Sequence, residues 1–107
     1  MSARTLIQAP ATARRGDVIE LRATIAHPME TGYRPGADGR VLPRDIIRRF
    51  TCRLEGETVF TAELHPAISA NPYLAFHLRA DSGGTLEFEW QGDNGFRHVE
   101  RRTLQVA

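Results

Sequence analysis

The residues of this chain that could do chemistry are a single cysteine and a few histidines. Those that could hold copper are His27, Met29, His65, His77 and Cys52. A blue-copper site needs two histidines and a cysteine with a weak axial methionine. No histidine lies within five residues of Cys52, which alternates with Phe50 and Leu54 in a strand-like run. We therefore predict a buried, inert thiol and no metal or cofactor, with a cupredoxin-like electron carrier as the alternative.

Nucleophilic catalysis has no clear signature either. Ser69 lies between Ile68 and Ala70 and lacks the Gly-x-Ser-x-Gly elbow. No spacing of histidine and acidic residues nominates a catalytic triad, and no glycine-rich loop leads into a helix to hold phosphate. The acidic residues of the strand-like runs are predicted to be solvated: Asp17, Glu20, Glu87 and Glu89. The residues themselves therefore give mostly negative answers to the search for catalytic chemistry.

Composition and charge argue against several other classes of protein. The chain has 107 residues, of which 41% are hydrophobic and 25% charged, as expected of one globular domain covering residues 1–107. A net charge of +1 gives no basic field for nucleic acid or an anionic membrane. No apolar run approaches the roughly 20 residues of a membrane helix, and one cysteine cannot form an internal disulfide.

Period-two alternation of apolar and polar residues runs along almost the whole chain. It marks seven strands, at residues 5–9, 18–26, 50–54, 60–64, 74–78, 86–90 and 99–106. Strands with one apolar face each predict an all-β fold, an immunoglobulin-like antiparallel β-sandwich of about seven strands. Trp90 is predicted to anchor the core. The one helical candidate is a turn at residues 45–49.

The connection between residues 27 and 45 is the longest interruption of this pattern. It is rich in proline and glycine, with Asp38-Gly39 as the predicted tip of a hairpin. Connections longer than about 12–15 residues without secondary structure are usually functional or mobile. The segment predicts a long surface hairpin offered to a partner, and an irregular mobile loop is the alternative.

Two His-Pro segments are more elaborate than strand connections require. Proline removes a backbone donor and extends the residue before it, so each segment should hold a defined shape. The histidines are predicted at turns or strand edges. A shaped contact surface and plain loop packing are both compatible with these features. We predict that the partner-binding residues are His27, Pro28, Met29, Glu30, Thr31, Gly32, Ser69, Ala70, Asn71, Pro72 and Tyr73.

The same segments carry a resemblance to a known family. The motifs involved are His27-Pro28-Met29-Glu30-Thr31-Gly32, Asp38-Gly39-Arg40 with Leu42-Pro43-Arg44, the ten residues from Leu64 to Tyr73, and Gly84-Thr85-Leu86-Glu87-Phe88 before an Asp-Asn-Gly hairpin. Together they closely resemble the SoxZ family over essentially the entire chain. SoxZ is one subunit of the SoxYZ sulfur-carrier complex of bacterial thiosulfate oxidation.

The resemblance implies a function that the residues alone do not reveal. It implies a non-catalytic subunit that forms a heterodimer with SoxY, whose C-terminal Gly-Gly-Cys-Gly-Gly segment carries the sulfur intermediates. Cys52 is then not the carrier, and this chain ends in Thr103-Leu104-Gln105-Val106-Ala107 without such a segment. It further implies export to the periplasm together with SoxY, without a signal peptide of its own, and contact with the Sox enzymes.

Two expectations about assembly remain. The isolated subunit is expected to be able to form a homodimer through the surface that would bind SoxY. The reason is that exposed sheet faces and unpaired strand edges tend to associate with another chain. If the resemblance misleads, a generic β-sandwich adhesion module is the alternative.

Overall fold

The computed structural model describes residues 3–107, which form eight β-strands. These are β1 (Thr5–Gln8), β2 (Thr12–Ala13), β3 (Val18–Ile25), β4 (Ile47–Leu54), β5 (Glu57–Glu63), β6 (Tyr73–Arg79), β7 (Gly84–Gly92) and β8 (Arg97–Val106). Seven correspond to the predicted runs. The eighth, β2, has only two residues, too few for an alternation pattern to show.

The strands form two sheets. One has three strands in the order β1-β3-β6, and the other has five in the order β2-β8-β7-β4-β5. All pairs are antiparallel except β2 with β8. The apolar faces of both sheets contribute to one core, so the predicted immunoglobulin-like β-sandwich is confirmed.

The core lies between the sheets and follows the alternation. The three-stranded sheet contributes mainly β3 and Phe76, and the five-stranded sheet contributes alternate residues of β4 and β7. Phe50 is central, because its ring lies 5.2 Å from Trp90 and 5.8 Å from Phe76. Trp90 is fully buried, which confirms it as a core anchor. Such aromatic contacts add to the free energy of area burial.

The predicted helical turn at residues 45–49 is wrong. Strand β4 already begins at Ile47, and Asp45 forms an isolated antiparallel bridge with Glu30. The Ile46 amide donates to the Asp93 carboxylate at 3.2 Å. Because distant partners satisfy these backbone groups, the segment has no need of local helical hydrogen bonds.

The only helical segment within residues 3–107 is the three-residue turn Asp93–Gly95 between β7 and β8. In that described part of the chain, no helix has the length and apolarity that crossing a bilayer would require.

The long connection between β3 and β4 is an irregular hairpin. Its arms meet at the Glu30–Asp45 bridge and again at a Pro35–Val41 bridge, and the Gly36 amide donates to the Arg40 carbonyl at the tip. We call residues 30–45 the long hairpin. The hairpin geometry predicted from the sequence is confirmed, whereas its contact with a partner stays a prediction.

Candidate functional site

The structure brings the two predicted partner-binding segments together at one end of the sandwich. The His27 amide donates to Asn71 Oδ1 at 3.0 Å, and the Asn71 amide donates back to the His27 carbonyl at 2.8 Å. Asn71 has a φ of 55°, a conformation that asparagine tolerates better than most residues. The exit of β3 and the entry of β6 are therefore joined by a reciprocal pair of hydrogen bonds.

His27 lies in the connection just after β3, as predicted for a turn residue, but it is buried, since only 6% of it is exposed. Its Nδ1 accepts a hydrogen bond from the Met29 amide at 3.0 Å, and its ring packs edge-on against Phe96 with 5.0 Å between centroids. Burial lowers the pKa of His27, and the opposing charges of Asp45 and Asp93 do not outweigh it. An accepting Nδ1 places the proton of the neutral ring on Nε2, which lies 4.0 Å from Asp45 Oδ1.

Met29 is likewise part of the core rather than of the surface. It is 4% exposed, and its Sδ accepts a hydrogen bond from the Ile47 amide at 3.2 Å. Its φ of 52° is unusual for a residue with a bulky side chain, so the surrounding contacts must hold it there. The expectation that the His27 and Met29 side chains are available to a partner is therefore wrong.

The rest of the first segment is only partly available. Pro28 is exposed, Thr31 and Gly32 are half-buried, and Glu30 accepts a hydrogen bond from Arg34 at 2.6 Å. Gly32 has a φ of +88°, and a Cβ there would come within 2.9 Å of Arg44 Cβ on the opposite arm of the long hairpin. A glycine is therefore needed at this position, because the two arms of the long hairpin approach each other too closely for a side chain.

The second segment is mostly exposed. Ser69, Ala70, Asn71 and Tyr73 are exposed, and only Pro72 is buried.

Tyr73 also begins a feature that the sequence did not indicate. The register places Leu6, Thr24 and Tyr73 in one row across β1, β3 and β6, on the outer face of the three-stranded sheet. Leu6 is 61% exposed and Tyr73 is 56% exposed. We call these three residues the apolar row.

The outer face of the five-stranded sheet is, by contrast, covered with ion pairs. Arg53 reaches both Glu87 and Glu89, and Arg97 also contacts Glu89. The prediction that Glu89 is solvated is wrong, since two guanidinium groups cover it and leave the residue 4% exposed. Burial opposes ionisation of this carboxyl, but the hydrogen bonds and charges of both arginines outweigh it and lower the pKa of Glu89.

A groove borders this face next to the Asp93–Gly95 turn. It has a volume of about 430 Å³ and is lined by Arg48, Arg49, Glu63, Gln91, Gly92, Gly95, Phe96 and Arg97. We call it the arginine groove. Sequence reasoning missed it, although the adjacent pair Arg48-Arg49 interrupts the alternation and could have indicated a bulge.

Cys52 is fully buried, as predicted, and burial raises its pKa to about 12. Within residues 3–107, no group of three or more histidine, cysteine, aspartate or glutamate side chains could hold a metal ion. The histidine and cysteine side chains of the copper-carrier alternative are thus not brought together in the part of the chain that the structure describes.

Two packed, mainly antiparallel sheets with an aromatic core place this chain in the class of immunoglobulin-like β-sandwich proteins. The family described as "Sulphur oxidation protein SoxZ" matches residues 7–103. The chain therefore belongs to the SoxZ family, which confirms the resemblance, and its role lies in sulfur oxidation. No curated protein matches the chain in sequence.

Several solved structures share the fold. A superoxide reductase (neelaredoxin) from Ignicoccus hospitalis is 18% identical with a TM-score of 0.74, over 98% of this chain and 82% of that one. The sulfur carrier protein SoxY from Chlorobium limicola f thiosulfatophilum is 15% identical with a TM-score of 0.66, over 96% and 78%. A putative superoxide reductase from Thermotoga maritima is 14% identical with a TM-score of 0.71, over 96% and 85%. At these identities the similarity shows the fold alone.

Proposed function

We propose that this chain is the non-catalytic subunit of a SoxYZ sulfur-carrier complex. It pairs with SoxY, which holds the sulfur intermediates on its C-terminal cysteine during thiosulfate oxidation, and the Sox enzymes act on the paired complex. The observation that carries this proposal is the state of Cys52 in a chain of a sulfur-oxidation family.

A cysteine that carries sulfur must be reached by its substrate and must ionise, because the thiolate is the nucleophile. Cys52 meets neither condition, since it is fully buried and its pKa is raised to about 12. It is also the only cysteine of the chain. The burial of Cys52 therefore supports the proposal that another polypeptide holds the covalent sulfur and that the role of this chain is to support that carrier.

The similarity to SoxY suggests how the two chains could pair. SoxY from Chlorobium limicola f thiosulfatophilum has the same fold, with a TM-score of 0.66. Two sandwiches of one fold can pair through equivalent surfaces in a pseudo-symmetric dimer, as identical subunits do about a two-fold axis. The same surface would then let the isolated subunit form a homodimer, which SoxY displaces.

The exposed part of the predicted segments gives the contact surface. Tyr73 lies in the apolar row and Asn71 lies beside it, where a shallow pocket includes Leu6 and Thr24. Apolar and aromatic side chains surrounded by polar ones are typical of the centre of a protein interface. A lasting complex would have to cover on the order of 1,200–2,000 Å² in total, so contacts must extend beyond this row.

The proposed location is the periplasm, reached by export in complex with SoxY. Fractionation of cells that express both reading frames, or this chain alone, tests the point. The chain should enter the periplasmic fraction only when SoxY with its signal peptide is present, and periplasmic recovery without SoxY would contradict co-export.

Co-expression with SoxY followed by affinity capture and light scattering tests the pairing. The expected result is a one-to-one species that persists at micromolar concentration. Separate elution of the two chains at that concentration would contradict the proposal and leave the adhesion-module alternative.

A further inference from the structure

We propose that the arginine groove binds a small sulfur oxyanion, either free or carried at the end of a polypeptide side chain. This site goes beyond pairing with SoxY. The choice of sulfur over other oxyanions rests on the proposed function, but the presence of an oxyanion site does not. The groove lies on the outer face of the five-stranded sheet, whereas the apolar row lies on the other sheet.

Strand register builds the groove. Glu63, Arg49, Gln91 and Arg97 occupy one row across β5, β4, β7 and β8. A register shift between Ile47 and Arg49 inserts Arg48, so both adjacent arginines are exposed. A bulge commonly redirects a side chain in this way. The result is three guanidinium groups, one side-chain amide and one carboxylate around a single concavity.

Gly92 makes that bulge possible. A Cβ at this position would come within 2.5 Å of the Ile46 carbonyl oxygen and 3.0 Å of Ile47 Cα. Only a residue without a side chain lets β7 approach the start of β4 so closely. The residue that permits the bulge therefore also lines the groove.

The charges around the groove are unbalanced. Three arginines and one carboxylate line it. Asp93 accepts two hydrogen bonds from Arg44, at 2.8 and 2.9 Å, and lies 3.2 Å from Arg48 Nε, so one carboxylate serves two arginines.

The other two arginines also have weak or shared partners. Arg97 pairs with Glu89, but this carboxylate is shared with Arg53, as Asp93 is shared between Arg44 and Arg48. Arg49 pairs with Glu63, but both side chains are more than half exposed, and exposed pairs contribute little. These pairs use only one or two of the five N–H donors of each guanidinium group, so donors are left for an incoming anion without breaking the pair of Arg97 with the buried Glu89.

The chemistry of the lining fits an oxyanion. Guanidinium groups present planar pairs of N–H donors that match the oxygens of sulfate-like or phosphate-like groups. A volume of about 430 Å³ admits a small anion or the end of a modified side chain. The excess of donors over acceptors disfavours a cationic or purely apolar occupant.

Nuclear magnetic resonance titration of the full chain tests the site, with sodium sulfate, sodium thiosulfate and a short peptide containing S-sulfocysteine as probes. Sodium chloride at matched ionic strength is the salt control. Saturable shifts of the Gln91–Arg97 amides are expected. Arg49→Gln should weaken binding about tenfold, the loss that follows from removing one charge-assisted hydrogen bond. Arg48→Gln should act in the same direction.

Arg22→Gln is the matched control. Arg22 is also a half-exposed strand arginine paired with a glutamate, but it lies on the three-stranded sheet. Binding of the free anions as tight as that of the peptide would identify a free oxyanion as the ligand, and tighter peptide binding would identify the carried form. Shifts no larger than with sodium chloride, or equal weakening by Arg22→Gln, would overturn the site.

Capture by SoxY, measured on the same samples, keeps the two proposals apart. If SoxY binds and no oxyanion does, only the groove fails. If the oxyanion binds and SoxY does not, only the heterodimer fails.

Discussion

The two His-Pro segments look alike in sequence but differ in the structure. In the first segment the side chains on both sides of Pro28, those of His27 and Met29, are buried at one end of the core. After Pro66 the chain stays outside, with His65 and Ile68 exposed, until Pro72 leads into β6. The first segment anchors the fold, whereas the second presents a surface. A His-Pro motif therefore specifies a rigid loop, and the path of the chain beyond it decides what that loop does.

The largest expected effect is the loss of Met29 from the anchoring segment. Met29→Ala removes a buried side chain, which usually costs about 2–5 kcal/mol of unfolding free energy. Met29→Asp should destabilise more, because it buries an unpaired charge. Urea unfolding measures both, and unchanged midpoints would contradict the assignment of the first segment to the core.

Tyr73 provides the corresponding test in the exposed segment. Tyr73→Asp should weaken SoxY binding about thirtyfold, as expected for a residue worth about 2 kcal/mol at the centre of an interface. Its unfolding free energy should stay within about 0.5 kcal/mol of the wild type, since the residue is exposed. Isothermal titration calorimetry with SoxY gives the affinity.

Tyr33→Asp is the matched control for that experiment. Tyr33 is an exposed tyrosine on the long hairpin, 78% accessible. If Tyr33→Asp weakens binding and Tyr73→Asp does not, the contact surface is the long hairpin rather than the apolar row.

A smaller effect should appear in the pH dependence of stability. The folded state lowers the pKa of His27 below its ordinary value of 6.5, so the unfolded state binds the proton more readily. The contribution of His27 to the free energy of unfolding is therefore fully present above about pH 6.5 and is lost as the pH falls below that value. The carboxyl groups with lowered pKa are Glu30, Glu89, Asp93 and Glu100, and their contributions are lost at lower pH, as the pH falls below the ordinary values of 3.8 for Asp93 and 4.5 for the glutamates.

Urea unfolding at pH 7 and pH 5 measures this slope. His27→Asn, which keeps an acceptor near the Nδ1 position, should flatten it. The control is His65→Asn in the exposed segment, which should keep the wild-type slope. A wild-type slope in His27→Asn would show that His27 is not the titrating group.

Local patterns in the sequence predict much of the fold. Alternation identified the inward faces of β3, β4 and β7 and the burial of Cys52, because side chains of a strand point alternately to opposite faces. Alternation could not reveal β2, which is held by its pairing with β8. The interruption at Arg48-Arg49 could indicate a bulge, but not the groove beside it, because the close approach of the strands there depends on Gly92 of β7.

The candidate site was less predictable. The backbone amide of His27 bonds to Asn71, 44 residues away in the sequence, and its buried ring packs against Phe96. Glu89 is buried because Arg53 and Arg97 reach it from neighbouring strands. In each case the partner becomes a neighbour only through sheet register, which no local pattern contains.

Intact mass spectrometry of both chains tests the central claim most directly. The heterodimer is incubated with thiosulfate and the Sox enzymes, and the two polypeptides are then weighed separately under denaturing conditions. The expected result is a sulfur adduct on SoxY alone, with this chain at its unmodified mass, because Cys52 is buried and protonated. A sulfur adduct on Cys52 would contradict the account.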